Sequence, residues 1–98
     1  MGLDAQEIPI ELRILRSAEP TSSLPRLREL IDAVEQAMPV NRHSQANLTA
    51  ALTVQAINFL CEGIEHQQNP PEINRRFVIA IKRAEAWAAS SEASSDGD

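Results

Sequence analysis

Apolar residues recur with helical spacing along most of the chain, most plainly between residues 25 and 38 and again between residues 71 and 89. In the latter, Ile73, Phe77, Ala80, Ile81, Ala84 and Trp87 or Ala88 fall on one side of a helix, and Val78 and Ile79 widen the stripe. Pro71 followed by Glu72 is a good helix start, because proline fits the first turn and a carboxylate there faces the positive end of the helix dipole. Residues 25–38 carry a single stripe of Leu27, Leu30, Ile31, Val34 and Met38. Ser22 or Ser23 is its expected cap, Pro25 its first turn and Pro39 its stop, with Arg28 and Asp32 paired on the outer face. Residues 44–67 predict a third helix capped by Ser44 and carrying two apolar rows. One row is Leu48, Leu52, Ala56, Phe59 and Leu60; the other is Ala50, Val54, Ile57, Cys61 and Ile64. Two rows imply a helix covered on two sides, central in its bundle.

Residues 8–16 read differently. Ile8, Ile10, Leu12 and Ile14 alternate with Pro9, Glu11 and Arg13, and β-branched isoleucine favours extended backbone, so the pattern predicts a short strand. The alternative is a helix that starts at Pro9 and buries Ile8, Leu12 and Leu15. The expected fold class is therefore mainly α, with three principal helices in a small bundle and a short N-terminal strand (or short helix), as a dimer. A flexible N-terminus over residues 1–7, one helical domain over 8–89 and a disordered acidic tail over 90–98 complete the expected organisation.

Ninety-eight residues bound the chain to one domain, and 14 of its hydrophobic residues are Ala, so the core is modest. The net charge of −5 resides at the ends, in Asp4, Glu7, Glu92, Asp96 and Asp98; the remainder holds nine acids and nine bases. A neutral body does not predict strong nonspecific binding to nucleic acid. One Cys excludes a disulfide framework, and no basic and apolar leader precedes the first element, which leads to the expectation of a soluble cytoplasmic protein. The central helix, with Gln45, Asn47, Thr49, Thr53, Gln55 and Asn58, is too polar to span a membrane.

Little in the chain suggests chemistry. Cys61 lies in an apolar row with no neighbouring cation to activate it, which predicts a buried, inert thiol. Glu62, Glu65 and His66 form only a weak helical cluster, and His43 stands apart, so no metal or cofactor is expected. The three glycines are isolated and form no phosphate loop; Gly63 within a helix suggests close packing instead. The chain is not expected to be an enzyme.

Two clusters remain as candidates for binding. Arg75, Arg76, Lys82 and Arg83 line one side of the last helix and form a candidate partner-binding ridge, unless Glu72 and Glu85 neutralise part of it as an ordinary solvated face. A lone strand leaves backbone groups unpaired, and the same strand of a second copy would satisfy them, making Ile8, Ile10, Leu12 and Ile14 the candidate dimer interface.

Strand, helix, helix in this order has a general resemblance in topology to ribbon-helix-helix regulators. That resemblance implies that Glu11, Arg13 and Arg16 face a DNA groove. Against it stand the long linker over residues 17–23, Pro9 within the ribbon and the neutral body. The favoured expectation is a small non-enzymatic protein–protein interaction module, an adaptor, small chaperone or regulator, acting as a homodimer on another protein. A dimeric DNA-binding regulator or antitoxin is the alternative.

Overall fold

The computed structural model describes the backbone of residues 6–37 and 45–96, and the regular structure within it is four helices: α1 (Glu7–Arg16), α2 (Pro20–Ala37), α3 (Gln45–Glu65) and α4 (Pro70–Asp96). No strand occurs among the described residues, which overturns the expected N-terminal strand and the count of three principal helices. The physical reason is backbone pairing. A strand at residues 8–16 would find no second strand among the described residues, whereas a helix closes its own hydrogen bonds. Pro9 falls in the first turn of α1, where its missing N–H is one that a helix leaves unbonded anyway. Ile8 and Leu12 are fully buried and Leu15 packs against them, while Ile10 and Ile14 remain 54% and 61% exposed. The four side chains expected to form one apolar dimer row thus point to opposite sides, and two of them are core. The expected dimer therefore loses the observation that suggested it.

α2 begins earlier than its sequence signals suggest. Pro20 opens it, and the Ser22 and Ser23 hydroxyls do not cap its start but donate back to the Glu19 carbonyl at 2.8 and 3.1 Å. Pro25 consequently lies inside the helix, where the lost hydrogen bond and ring clash cost about 3 kcal/mol. Complete burial of Leu27, Leu30 and Val34 outweighs this, at about 1.5–3 kcal/mol each. Met38, Pro39 and Ser44, expected as the end of this helix and the cap of the next, lie outside the described residues.

α3 ends in a Schellman motif. Gln67 adopts the left-handed conformation (φ 56°) and donates its N–H to the Ile64 carbonyl at 3.1 Å, while the Gln68 N–H reaches the Gly63 carbonyl at 3.0 Å. The chain then turns into α4, whose N-cap is Asn69: its Oδ1 accepts the Glu72 N–H at 3.0 Å. Pro70 and Pro71 occupy the first turn, where they forfeit no bond. The expected stripe of α4 is buried throughout, from Ile73 and Phe77 to Trp87 and Ala88. α4 also continues past Ala89 to Asp96, into the segment expected to be a disordered tail.

α4 packs along α3 on one side and α1 on the other, and α2 closes against α3 and more lightly against α1. A buried hydroxyl ties the two long helices together, since Thr53 Oγ1 lies 2.8 Å from the Thr49 carbonyl and 3.0 Å from that of Arg83 on α4. Ion pairs bridge the other seams: Arg13 with Glu85, Arg26 with Glu11 at 2.8 Å, and Arg28 with Glu65 rather than with Asp32. No helix among the described residues is long and apolar enough to cross a membrane.

Candidate interaction surface

The basic ridge of α4 divides in two. At its N-terminal end the cations serve the fold. Arg75 grips Glu72 with both arms, Nε at 3.1 Å and Nη2 at 2.7 Å. Arg76 also reaches Glu72, at 2.8 Å through Nε, but its guanidinium lies across α3, 3.7 Å above the Phe59 ring, and Nη1 donates to the Phe59 carbonyl at 2.8 Å. Gly63 makes room for it: a Cβ at that position would stand 2.8 Å from Arg76 Cδ and 2.9 Å from Nη1. The close packing expected at Gly63 is therefore with an arginine side chain. Bonds from Arg75 and then Arg76 hold the Glu72 carboxyl down at about 2, well below the usual 4.5. Arg75 and Arg76 thus share one carboxylate, and Arg76 is a clamp between α3 and α4.

Lys82 and Arg83 lie farther along the same helix and are different. Both are exposed, and neither has an acidic partner among the described residues, because Glu85 pairs with Arg13 across the other seam. Beside them runs an apolar strip that the sequence pattern assigned to the core. Only one face of α3 is covered, comprising Ala50, Thr53, Ala56, Ile57, Leu60, Cys61 and Ile64. The outer part of the other row stays open: Leu48 is 56% exposed, Phe59 37%, and Leu52 is half-buried. Across the seam, Ile79 of α4 is half-buried too. Leu52, Gln55, Ala56, Phe59, Ile79 and Arg83 line a cleft of about 190 Å³. A neighbouring hollow lined by Ile79, Lys82, Arg83 and Ala86 continues it along α4.

The signal for this surface was present in the sequence. The row containing Leu48 and Phe59 places Gln55 among its apolar members, whereas the covered face carries only small hydroxyls. What the sequence alone does not reveal is that, among the described residues, no further helix covers that row.

The residues that the ribbon topology would aim at DNA are committed elsewhere. Glu11 pairs with Arg26, Arg13 with Glu85, and Arg16 donates through Nε to Asn74 Oδ1 at 2.8 Å. With no strand among the described residues, that topology does not describe this chain.

Arg16 and Asn74 also border a pocket of about 270 Å³ at the end of the bundle, floored by Ile73 and Phe77, with no cluster of titratable groups to do chemistry in it. Burial pushes the Cys61 thiol up, an effect that nearby Arg28 only partly opposes. Among the described residues, no three His, Cys, Asp or Glu side chains gather as metal ligands would. Comparison of the chain with protein-family models, curated proteins and solved structures finds no match.

Proposed function

We propose that this chain is a small non-enzymatic protein–protein interaction module, in the manner of an adaptor, small chaperone or regulator, and that it docks through the outer face of α3 and α4. One observation carries the reading: Lys82 and Arg83, without acidic partners among the described residues, border a cleft lined by half-buried Leu52 and Ile79 and by Phe59, and exposed Leu48 lies one turn before Leu52 on α3. Isolated exposed apolar residues are ordinary, but a contiguous strip with a charged rim is the anatomy of an interface core and its edge. The other described arginines, Arg16 excepted, are all occupied in ion pairs within the bundle. A buried free Cys61 suits the reducing cytoplasm, where we place the protein.

Site-specific photocrosslinking in the native cell tests this. A benzophenone side chain replacing Gln55 on the strip should give a discrete adduct with another protein, and the same group at Asp32, on the exposed side of α2, should not. The Lys82→Glu/Arg83→Glu variant should lose the adduct. Equal adducts from both positions, or none from Gln55, would refute the docking face.

A further inference from the structure

We infer that the occupant of the α3–α4 face is a short acidic amphipathic helix of a partner protein, laid along the seam with its carboxylates toward Lys82 and Arg83. This rests on the reading of that face as a docking surface and adds the chemistry of what docks. The shape indicates a helix. The two hollows share Ile79 and Arg83, so the groove runs unbroken from Phe59 to Ala86. Residues 48–59 of α3 extend about 17 Å along it, the length of about three helical turns. Apolar side chains spaced i, i+4, i+7 and i+11 on an incoming helix would cover the same length and reach Leu48, Leu52, Ile79 and Phe59. Ala86, exposed and small, lets a backbone approach that rim closely.

Charge indicates an acidic partner. At the Phe59 end Arg75 and Arg76 share the Glu72 carboxylate, and exposed Glu62 supplies a second negative charge, so that end attracts no further acid. At the other end Lys82 and Arg83, with no acidic partner among the described residues, present two positive charges to whatever lies in the groove. Two adjacent cations are few for a nucleic acid, and phosphates bound there would leave the apolar strip wet. A second copy of this chain fits poorly as well. Glu11, Glu29, Glu65, Glu72 and Glu85 are engaged within the bundle. α1 exposes Ile10 and Ile14 with a single free acid, Glu7, on that side, and beside Arg13 and Arg16. α2 carries Asp32 and Glu35 on a face with no exposed large apolar residue. No described helix therefore offers an open apolar stripe with two free acids beside it to match Lys82 and Arg83.

The test uses the full chain and three fluorescein-labelled peptides of about 14 residues. One has leucines at helical spacing flanked by glutamates, the second has lysine for each glutamate, and the third scrambles the first. Fluorescence anisotropy should show binding of the acidic amphipathic peptide, with the scrambled peptide at least about tenfold weaker. Lys82→Glu/Arg83→Glu, checked by circular dichroism for intact helix, should weaken the acidic peptide about tenfold and favour the lysine peptide instead. The inference is overturned if that variant holds the acidic peptide as well as the wild type does, if the scrambled peptide binds equally, or if none binds. It is overturned too if a DNA duplex competes at equal salt. Sedimentation of the wild type as a dimer that Lys82→Glu/Arg83→Glu dissociates would assign the groove to a second copy. Persistence of the Gln55 adduct alongside any of these results removes the acidic helix and leaves the docking face standing; loss of both removes the face.

Discussion

Replacing Gly63 by Ala should have opposite effects on stability in two backgrounds. In the wild type the new methyl would sit 2.8 Å from Arg76 Cδ and 3.1 Å from its Nε, too close for either to stay. Arg76 is only 13% exposed and is fixed at three points: the Phe59 ring, the Phe59 carbonyl and Glu72. Moving it forfeits a cation–π contact of about 0.5–1 kcal/mol and a charged hydrogen bond of about 1.5 kcal/mol. Against that loss of roughly 2–2.5 kcal/mol, alanine is a better helix former than glycine by about 1 kcal/mol. Gly63→Ala should therefore destabilise the wild type by about 1–1.5 kcal/mol. In an Arg76→Ala background the three nearest obstructing atoms are gone, and the same substitution should stabilise by up to about 1 kcal/mol. Urea unfolding of the four proteins, followed by circular dichroism at 222 nm, gives the cycle, with an expected coupling of roughly 2 kcal/mol. An equal gain in both backgrounds would refute the clamp: Gly63 would then be an ordinary weak point of α3, and Arg76 a surface residue.

Further outcomes follow from other parts of the fold. Gln67→Gly should raise stability by about 0.5–1 kcal/mol in the same urea assay, because it relieves a side chain held at positive φ in the Schellman turn; a loss would show that Gln67 makes a contact worth more than the strain. Glu72 has its carboxyl pulled below its unfolded value, so its contribution is whole above pH 4.5 and fades as the pH falls toward 2. The stability gap between wild type and Glu72→Gln should therefore narrow across that interval, and a gap independent of pH would contradict the bonds to Arg75 and Arg76. Leu12→Asp puts a carboxylate into a fully buried site and should unfold the chain by more than about 3 kcal/mol; a folded variant of smaller sedimentation coefficient would return Leu12 to a dimer interface.

Where the sequence pattern and the structure agree, local signals and burial coincide. In α4 the spacing from Ile73 to Trp87, the two prolines and Asn69 all describe the same helix, and tertiary packing has nothing to override. In α1 the residues satisfy two periods at once: Ile8, Ile10, Leu12 and Ile14 alternate, but Ile8, Leu12 and Leu15 also lie on one side of a helix. The choice depends on whether a second strand exists to pair with, and that is a property of the whole chain. In α2, Ser22 and Ser23 before Pro25 look like a cap, and only the start at Pro20 shows them bonding backward. For the candidate surface, spacing places four cations along one side of α4 but does not reveal their fates. Arg76 turns inward over Gly63 because α3 presents the Phe59 ring and carbonyl oxygen there. Lys82 and Arg83 stay outside because Glu85 is drawn to α1.

The central claim is that the outer strip of α3 and α4 is a surface kept for a partner and is not part of the core. One triple variant, Leu48→Gln/Lys82→Gln/Arg83→Gln, examined for both stability and crosslinking, addresses it directly. All three side chains are exposed, so urea unfolding should show a change within about 0.5 kcal/mol. The benzophenone at position 55 should at the same time lose its adduct. A marked loss of stability would place these residues in the packed structure, and an adduct that survives in a stable variant would place the partner elsewhere.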